Sequence, residues 1–398
     1  MRQKLPSIFK FIKLCTCSAI LAMSHLSPGQ SPSLDLNQNY ISSPRAAAMS
    51  SAISTTANGV DSAFYNPAAT GGIFWKSSPP AVRQLQFPFI GGTMSKPALE
   101  LRESLNSAGA STDPAAGEAI LSENKDTRYY GRLSLGLYIE YTRASFLVFS
   151  DTQFAGFNSS EDLVDAETGS QVLTLSQAST SGYGFGLSGS AFSGNLYGGV
   201  FIASISREYF EGNITYDELV TSSKRSKVIS ENSNQYDGMG LNGGILWRIA
   251  DTARPVLALV GRNIGNTELS SGFFDASTGS GESALSIDQE LVLGFSVTPA
   301  VAGGEFNLAL DYVHKNSNFN PAYGLKMGGE YAVGGVANEA LFALRFGYSA
   351  AGTSFGFKLG SGLINLEASS SPIMVNKGLT YEPEVQNSII FNINARDM

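Results

Sequence analysis

The sequence predicts an all-β fold: a membrane-spanning antiparallel β-barrel of about 14 strands with an N-terminal helical or irregular plug. Three observations carry this expectation. Charged residues are only 15% of the 398-residue chain, against roughly 25% in an average soluble protein. Glycine is abundant at 43 residues, and so are the aromatics, with 24 Phe and 16 Tyr. No apolar run reaches the ~20 residues that a membrane-spanning helix needs. A barrel has this profile because its lipid-facing and lumen-facing residues alternate and average out. A soluble sandwich shares the alternation, but its outer face would carry more charge.

The first segment is an address. Arg2, Lys4, Lys10 and Lys13 precede an apolar stretch, residues 14–23, that ends in Ala22-Met23-Ser24. A basic start, an apolar core of about ten residues and small residues at its end form the pattern of a secretory signal peptide, expected over 1–24. Cys15 and Cys17 both fall inside it, so neither disulfides nor thiolate metal sites are expected in the mature chain. Export and barrel strands together imply a Gram-negative type of outer membrane.

Residues 25–80 are rich in Ser, Ala, Asn and Pro and lack strand alternation; they are expected to form the plug, with a short helix within 44–54. The barrel is expected over 81–398. Its strands are predicted at 82–90, 129–140, 142–157, 171–190, 194–211, 236–250, 253–262, 284–299, 303–315, 321–333, 339–349, 353–361, 362–370 and 387–395. The warrant is period-2 alternation, the mark of a strand with two different faces. Phe306, Leu308, Leu310 and Tyr312 alternate with Glu305, Asn307, Ala309 and Asp311. Phe342, Leu344 and Phe346 alternate with Ala343, Arg345 and Gly347. The sense expected for a barrel puts the first set of each pair on lipid, and Asp311, Arg345, Lys358 and Glu367 in a polar lumen. Two segments break the alternation, near 97–124 and 214–234, and read as helical insertions at the surface or in the periplasm.

Motifs with chemistry are absorbed by the strands. Gly184-Phe185-Gly186-Leu187-Ser188-Gly189 fits a dinucleotide fingerprint, which needs a strand before it and a helix after it. Here Tyr183, Phe185 and Leu187 alternate straight through. Gly352-Thr353-Ser354-Phe355-Gly356 fits a nucleophile elbow, but no helix follows Ser354. His314 reads as a rim residue. The carboxylate pairs Glu161-Asp162 and Glu382/Glu384 read as solvated loop charge. The expectation is a protein that is not an enzyme and has no cofactor and no metal. The net charge of -8 opposes nucleic acid as a partner.

The stretch Gly59–Gly72, reading GVDSAFYNPAATGG, resembles the N-terminal hatch of the FadL-like outer-membrane transport superfamily (FadL/TodX type). The matching positions are Asp61, Ser62, Phe64, Tyr65, Asn66, Pro67 and Ala68; Ala69-Thr70 depart from the family's usual Gly-Leu. Gly261-Arg262-Asn263-Ile264-Gly265 is similar to an Arg-Asn-Leu-Gly segment of PorV-like members, and the insertion at 97–124 to those of the TraF-like branch. The resemblance implies passive uptake of hydrophobic small molecules of long-chain fatty acid or hydrocarbon type. Phe64, Tyr65, Asn66, Pro67 and Ala68 would then be gate elements, with outer-membrane lipid and a hydrophobic ligand as partners. The alternative is a PorV-like or TraF-like barrel that transports nothing and is a binding platform for an envelope protein partner in a secretion or conjugation assembly.

Overall fold

The structure, a computed structural model, describes residues 43–70, 83–107, 114–124, 127–157, 172–270, 283–301, 303–315, 324–334, 340–360, 363–377 and 380–396. The expected signal peptide, both cysteines and Glu161-Asp162 lie outside the described residues.

Fourteen antiparallel staves close into a barrel. They are β1 (Arg83–Ser95), β2 (Arg128–Tyr141), β3 (Ala144–Phe157), β4 (Val172–Ala191), β5 (Leu196–Thr215) and β6 (Asn234–Arg248). Next come β7 (Val256–Arg262, resumed at Thr267–Ser270) and β8 (Ser283–Ile287, resumed at Glu290–Val297). β9 (Gly304–Lys315), β10 (Leu325–Val333), β11 (Phe342–Ser349), β12 (Gly352–Gly360), β13 (Ile364–Lys377) and β14 (Thr380–Arg396) complete it. Each stave pairs with its sequence neighbours, and β1 closes the ring on β14, from Gln84 opposite Arg396 to Ser95 opposite Gln386. Closure removes the sheet edges, the condition for placing strands in a bilayer. Among the described residues no helix is long and apolar enough to cross a membrane.

The alternation has the sense expected of a membrane barrel. Leu344 and Phe355 are 50% and 61% exposed on the outside, while Asp311, Arg345, Lys358 and Glu367 are buried inside. Several bounds differ from the sequence reading. β1 runs on to Ser95, and β14 begins at Thr380, so Glu382 and Glu384 stand in a strand and not in a loop. The reason is pairing: β13 and β14 stay in register from Ile364–Ile393 to Lys377–Thr380, beyond the part whose apolar alternation is visible. His314 is exposed one residue from the end of β9.

The helical insertions are a collar. α3 (Lys96–Ser107) and α4 (Pro114–Glu123) follow β1; α5 (Tyr216–Val220) and α6 (Ser222–Asn232) follow β5. All four stand at the barrel end opposite the tight Thr142-Arg143 turn between β2 and β3. Ala98 and Leu101 from α3, Leu219 from α5, and Val228 and Ile229 from α6 share a cluster with Tyr129, Leu173, Leu175, Phe210 and Ile214 of the staves. These stave residues lie near the long-loop ends of β2, β4 and β5. Helices therefore cover the apolar wall at this end of the barrel.

Inside the barrel lie α1 (Pro44–Ala48), α2 (Val60–Tyr65) and a 3-10 turn at Pro67–Ala69. Ser43 caps α1, its Oγ accepting from Ala46 N at 3.0 Å, with Pro44 at the first helical position. Each helix is too short to stand alone in water, so the barrel wall supports both.

Candidate functional site

The lumen is lined by an apolar cluster and by buried charged groups, and the plug touches both. Between β3 and β9 the inward residues include Leu147, Phe149, Phe201, Ile205, Val260, Val292 and Val313, joined to Ile53, Val60, Ala63 and Phe64 of the plug in one buried cluster. The expected polar lumen is thus only half the case. β7 shows why: in Val256-Leu257-Ala258-Leu259-Val260 both faces are apolar, Leu257 and Leu259 toward lipid, Val256, Ala258 and Val260 toward the plug. Alternation in polarity fails there because neither face meets water.

From β10 to β13 the lumen is charged. Arg45 of α1 donates through Nε to Glu330 Oε2 at 3.0 Å and through Nη2 to Glu330 Oε1 at 3.1 Å. Its Nη1 donates to Thr56 O at 2.9 Å and lies 3.9 Å from Asp61 Oδ2. Arg345 donates to Glu330 at 2.6 Å and to Glu367 at 2.5 Å, and Lys358 stands opposite Glu367 in the β12–β13 register. On β9, Asp311 accepts from Ser54 N at 2.9 Å and Ser54 Oγ at 2.7 Å. A two-toothed carboxylate–guanidinium fit gives position as well as attraction.

Wall glycines make room for the plug backbone. A Cβ on Gly244 would stand 2.0 Å from Asn66 Oδ1, one on Gly199 2.3 Å from Pro67 O, and one on Gly356 2.5 Å from Ala48 Cβ. Glycine lets a second backbone approach closely. The Gly352–Gly356 elbow motif has the same role: Ser354 Oγ donates to Ala48 O at 2.8 Å and lies 2.9 Å from Ser50 Oγ, so it seats the plug.

The five residues singled out from the sequence are all buried in the lumen. Phe64 meets Phe149 edge-on at 5.8 Å and Phe201 at 6.0 Å, contacts worth roughly 0.5–1.5 kcal/mol each beyond burial. The Tyr65 ring lies under Arg262, 4.9 Å from its Cζ, and burial pushes the phenol up to about 12. Asn66 accepts from Ala68 N at 3.0 Å and donates to Ser54 O at 2.7 Å, tying the 3-10 turn to the loop before it. This is more than the strand-entry turn that Asn-Pro suggests. Pro67 and Ala68 pack on β5 and β6. Sequence reasoning missed Arg45, Asp61 as an ion-pair member, and Glu330. The one available signal was a lone Arg in a Ser- and Ala-rich stretch.

Asp61 borders a cavity of about 20 Å³, also lined by Ser43, Arg45, Gln86 and Glu367, room for one water. Burial raises its carboxyl to about 6, against the pull of Arg45; Glu367 adds to the rise and Arg345 opposes it. The seated plug therefore holds the proton more tightly than the free chain does. The penalty of a charged Asp61 is present above pH 6 and relieved as pH falls toward 4. Plug protection from hydrogen exchange is expected to rise over that window, and Asp61→Asn to remove the dependence. An unchanged slope in the variant would assign the titration elsewhere.

Fold and site together define a plugged transmembrane β-barrel whose lumen holds an apolar cluster shared with the plug and buried ion pairs on several staves, Arg262–Glu290 and Arg132–Asp151 among them. The chain is similar to the toluene transporter TodX of Pseudomonas putida, at 10% identity and a TM-score of 0.46, covering 90% of this chain and 97% of that one. It is similar to the toluene transporter TbuX of Ralstonia pickettii, at 12% identity and a TM-score of 0.48, covering 88% and 97%. It is also similar to the monoaromatic hydrocarbon channel CymD, at 10% identity and a TM-score of 0.46, covering 88% and 96%. These are barrels of the FadL type that Gly59–Gly72 resembles. No protein-family model matches the sequence, and no curated protein does. Among the described residues no group of His, Cys, Asp and Glu could hold a metal ion.

Proposed function

We propose that this protein is an outer-membrane channel through which hydrophobic small molecules, of fatty acid or hydrocarbon type, pass passively. The chain enters the envelope with a signal peptide over 1–24, and residues 25–80 form the plug that gates passage. One observation supports this most: the apolar cluster continues from Phe64, Val60 and Ile53 on the plug to Phe149, Phe201 and Val260 on the wall. A barrel for polar solutes has a water-filled polar lumen. Here an apolar solute finds apolar contact with Phe149, Phe201 and Val260 where the plug withdraws, beside buried charged groups of β3–β8 such as Asp151, Arg207 and the Arg262–Glu290 pair.

Phe64, Tyr65, Asn66, Pro67 and Ala68 are the gate elements in this reading. Pro67→Ala leaves the ladder untouched but frees φ at position 67 and relaxes the restriction on Asn66. The expected result is a normal outer-membrane level with altered uptake of 1-N-phenylnaphthylamine. Normal level with unchanged uptake removes the gate.

A second reading has support from the tight fit of the plug: a barrel that transports nothing and presents its α3–α6 collar to an envelope protein. In that case deletion of the gene leaves uptake of the apolar probe unchanged, while collar substitutions disrupt an assembly.

A further inference from the structure

We infer that Arg45 is a releasable latch, which holds the amino-terminal half of the plug on β10 and lets it leave without stranding net charge in the lumen. The inference deepens the channel reading and rests on it for what the release is for.

The charge count carries the argument. The array contains three cations, Arg45, Arg345 and Lys358, and three carboxylates, Asp61, Glu330 and Glu367. The plug supplies one of each, Arg45 and Asp61, 3.9 Å apart. The wall supplies two of each, and Arg345 already bridges Glu330 at 2.6 Å and Glu367 at 2.5 Å without help from the plug. When α1 withdraws, both parts stay neutral and internally paired. A permanent anchor would leave an uncompensated buried charge on separation, the costly case. This array avoids that case.

Both halves of the plug are held by side-chain bonds and by close backbone fit. Arg45, Ser50 and Ser54 bond to Glu330, Ser354 and Asp311, and the backbone of Met49 and Ser50 stands over Gly347. Pro67 O stands over Gly199, Asn66 fills the space left by Gly244, and Thr70 O accepts from Ser188 Oγ at 2.6 Å. What sets the first half apart is the ion pair of Arg45 with Glu330, so release starts at α1. The cavity between Arg45, Asp61 and Glu367 has room for the first water that competes for the guanidinium.

The test uses the full chain in planar bilayers, with ion conductance as a readout independent of any ligand. Arg45→Met keeps length and removes charge; it is expected to raise open probability at least tenfold, with Arg45→Lys intermediate. In the same background, Ser50→Cys with Ser354→Cys replaces two hydroxyls 2.9 Å apart. Oxidation of that pair is expected to restore the closed state, and reduction to release it. Wild-type conductance in correctly assembled Arg45→Met, or a leak that the oxidised pair leaves untouched, overturns the latch. Raised conductance with unchanged 1-N-phenylnaphthylamine uptake upholds the latch and removes the hydrophobic-channel reading.

Discussion

Replacing Asp151 by Ala is expected to cost the barrel about 3–5 kcal/mol, the range for removing one partner of a buried pair. Asp151 is fully buried on β3 and accepts from Arg132 Nε at 2.7 Å, Ser134 Oγ at 2.6 Å and Gln153 Nε2 at 2.8 Å. Two donors from β2 and one from β3 itself converge on one carboxylate, and Ala leaves all three without it in a buried site. Asp151→Asn keeps one acceptor oxygen and should cost less. All four groups belong to the wall, so the loss should appear in guanidinium unfolding of the barrel and not in release of the plug. A loss below about 1 kcal/mol for Asp151→Ala would mean that water enters this part of the lumen and solvates Arg132.

Asp151 also shows what the sequence exposes and what it hides. The strand at 142–157 is legible from its run of apolar and aromatic residues, Phe146-Leu147-Val148-Phe149, which are apolar on both faces. That Asp151 meets Arg132 is not legible, because it depends on a register in which Ser134 lies opposite Asp151, and alternation leaves register open by steps of two. The same limit hid the latch: Arg45 and Glu330 are 285 residues apart, and nothing local in either segment points to the other. The Gly59–Gly72 segment was legible for another reason. Asn-Pro is a local turn signal and its resemblance is local too, so both survive without any knowledge of tertiary contacts.

Glycine was half legible. Its abundance is visible in the sequence, as is its frequent place on the polar face of the strands. Two different uses are not. Gly131 and Gly329 make room for rings of the wall itself, Phe154 and Phe346, whereas Gly199, Gly244, Gly294 and Gly356 make room for the plug. The second group traces a path across β5, β6, β8 and β12. That path fixes where residues 43–70 lie more firmly than their own low helix propensity does. A lumen lined this way accepts one backbone course, which is why a segment without a core of its own has a defined structure here.

Replacing Leu308 by Arg is expected to cost about 2–4 kcal/mol, the range for a basic side chain on the lipid face near the bilayer midplane. Leu308 points outward from β9, opposite Val297 and Gly329, with Phe306 and Leu310 beside it on the same face and Phe346 over Gly329. Nothing acidic stands among these neighbours, so an Arg there has hydrocarbon around its stem and no partner for its head; it must reach for the headgroups or thin the bilayer. Leu308→Phe keeps the face apolar and is expected to stay within about 0.5 kcal/mol, as surface substitutions do when they break no special contact. The comparison is made by reversible unfolding in lipid vesicles, because detergent solvates the guanidinium and shrinks the difference. In thinner vesicles the Arg variant should recover part of its loss, since its head then reaches water sooner. Equal stability of the two variants in thick vesicles would mean that Leu308 does not meet lipid, and the outward sense assigned to β9 and to the aromatic faces of β11 and β12 would fall with it.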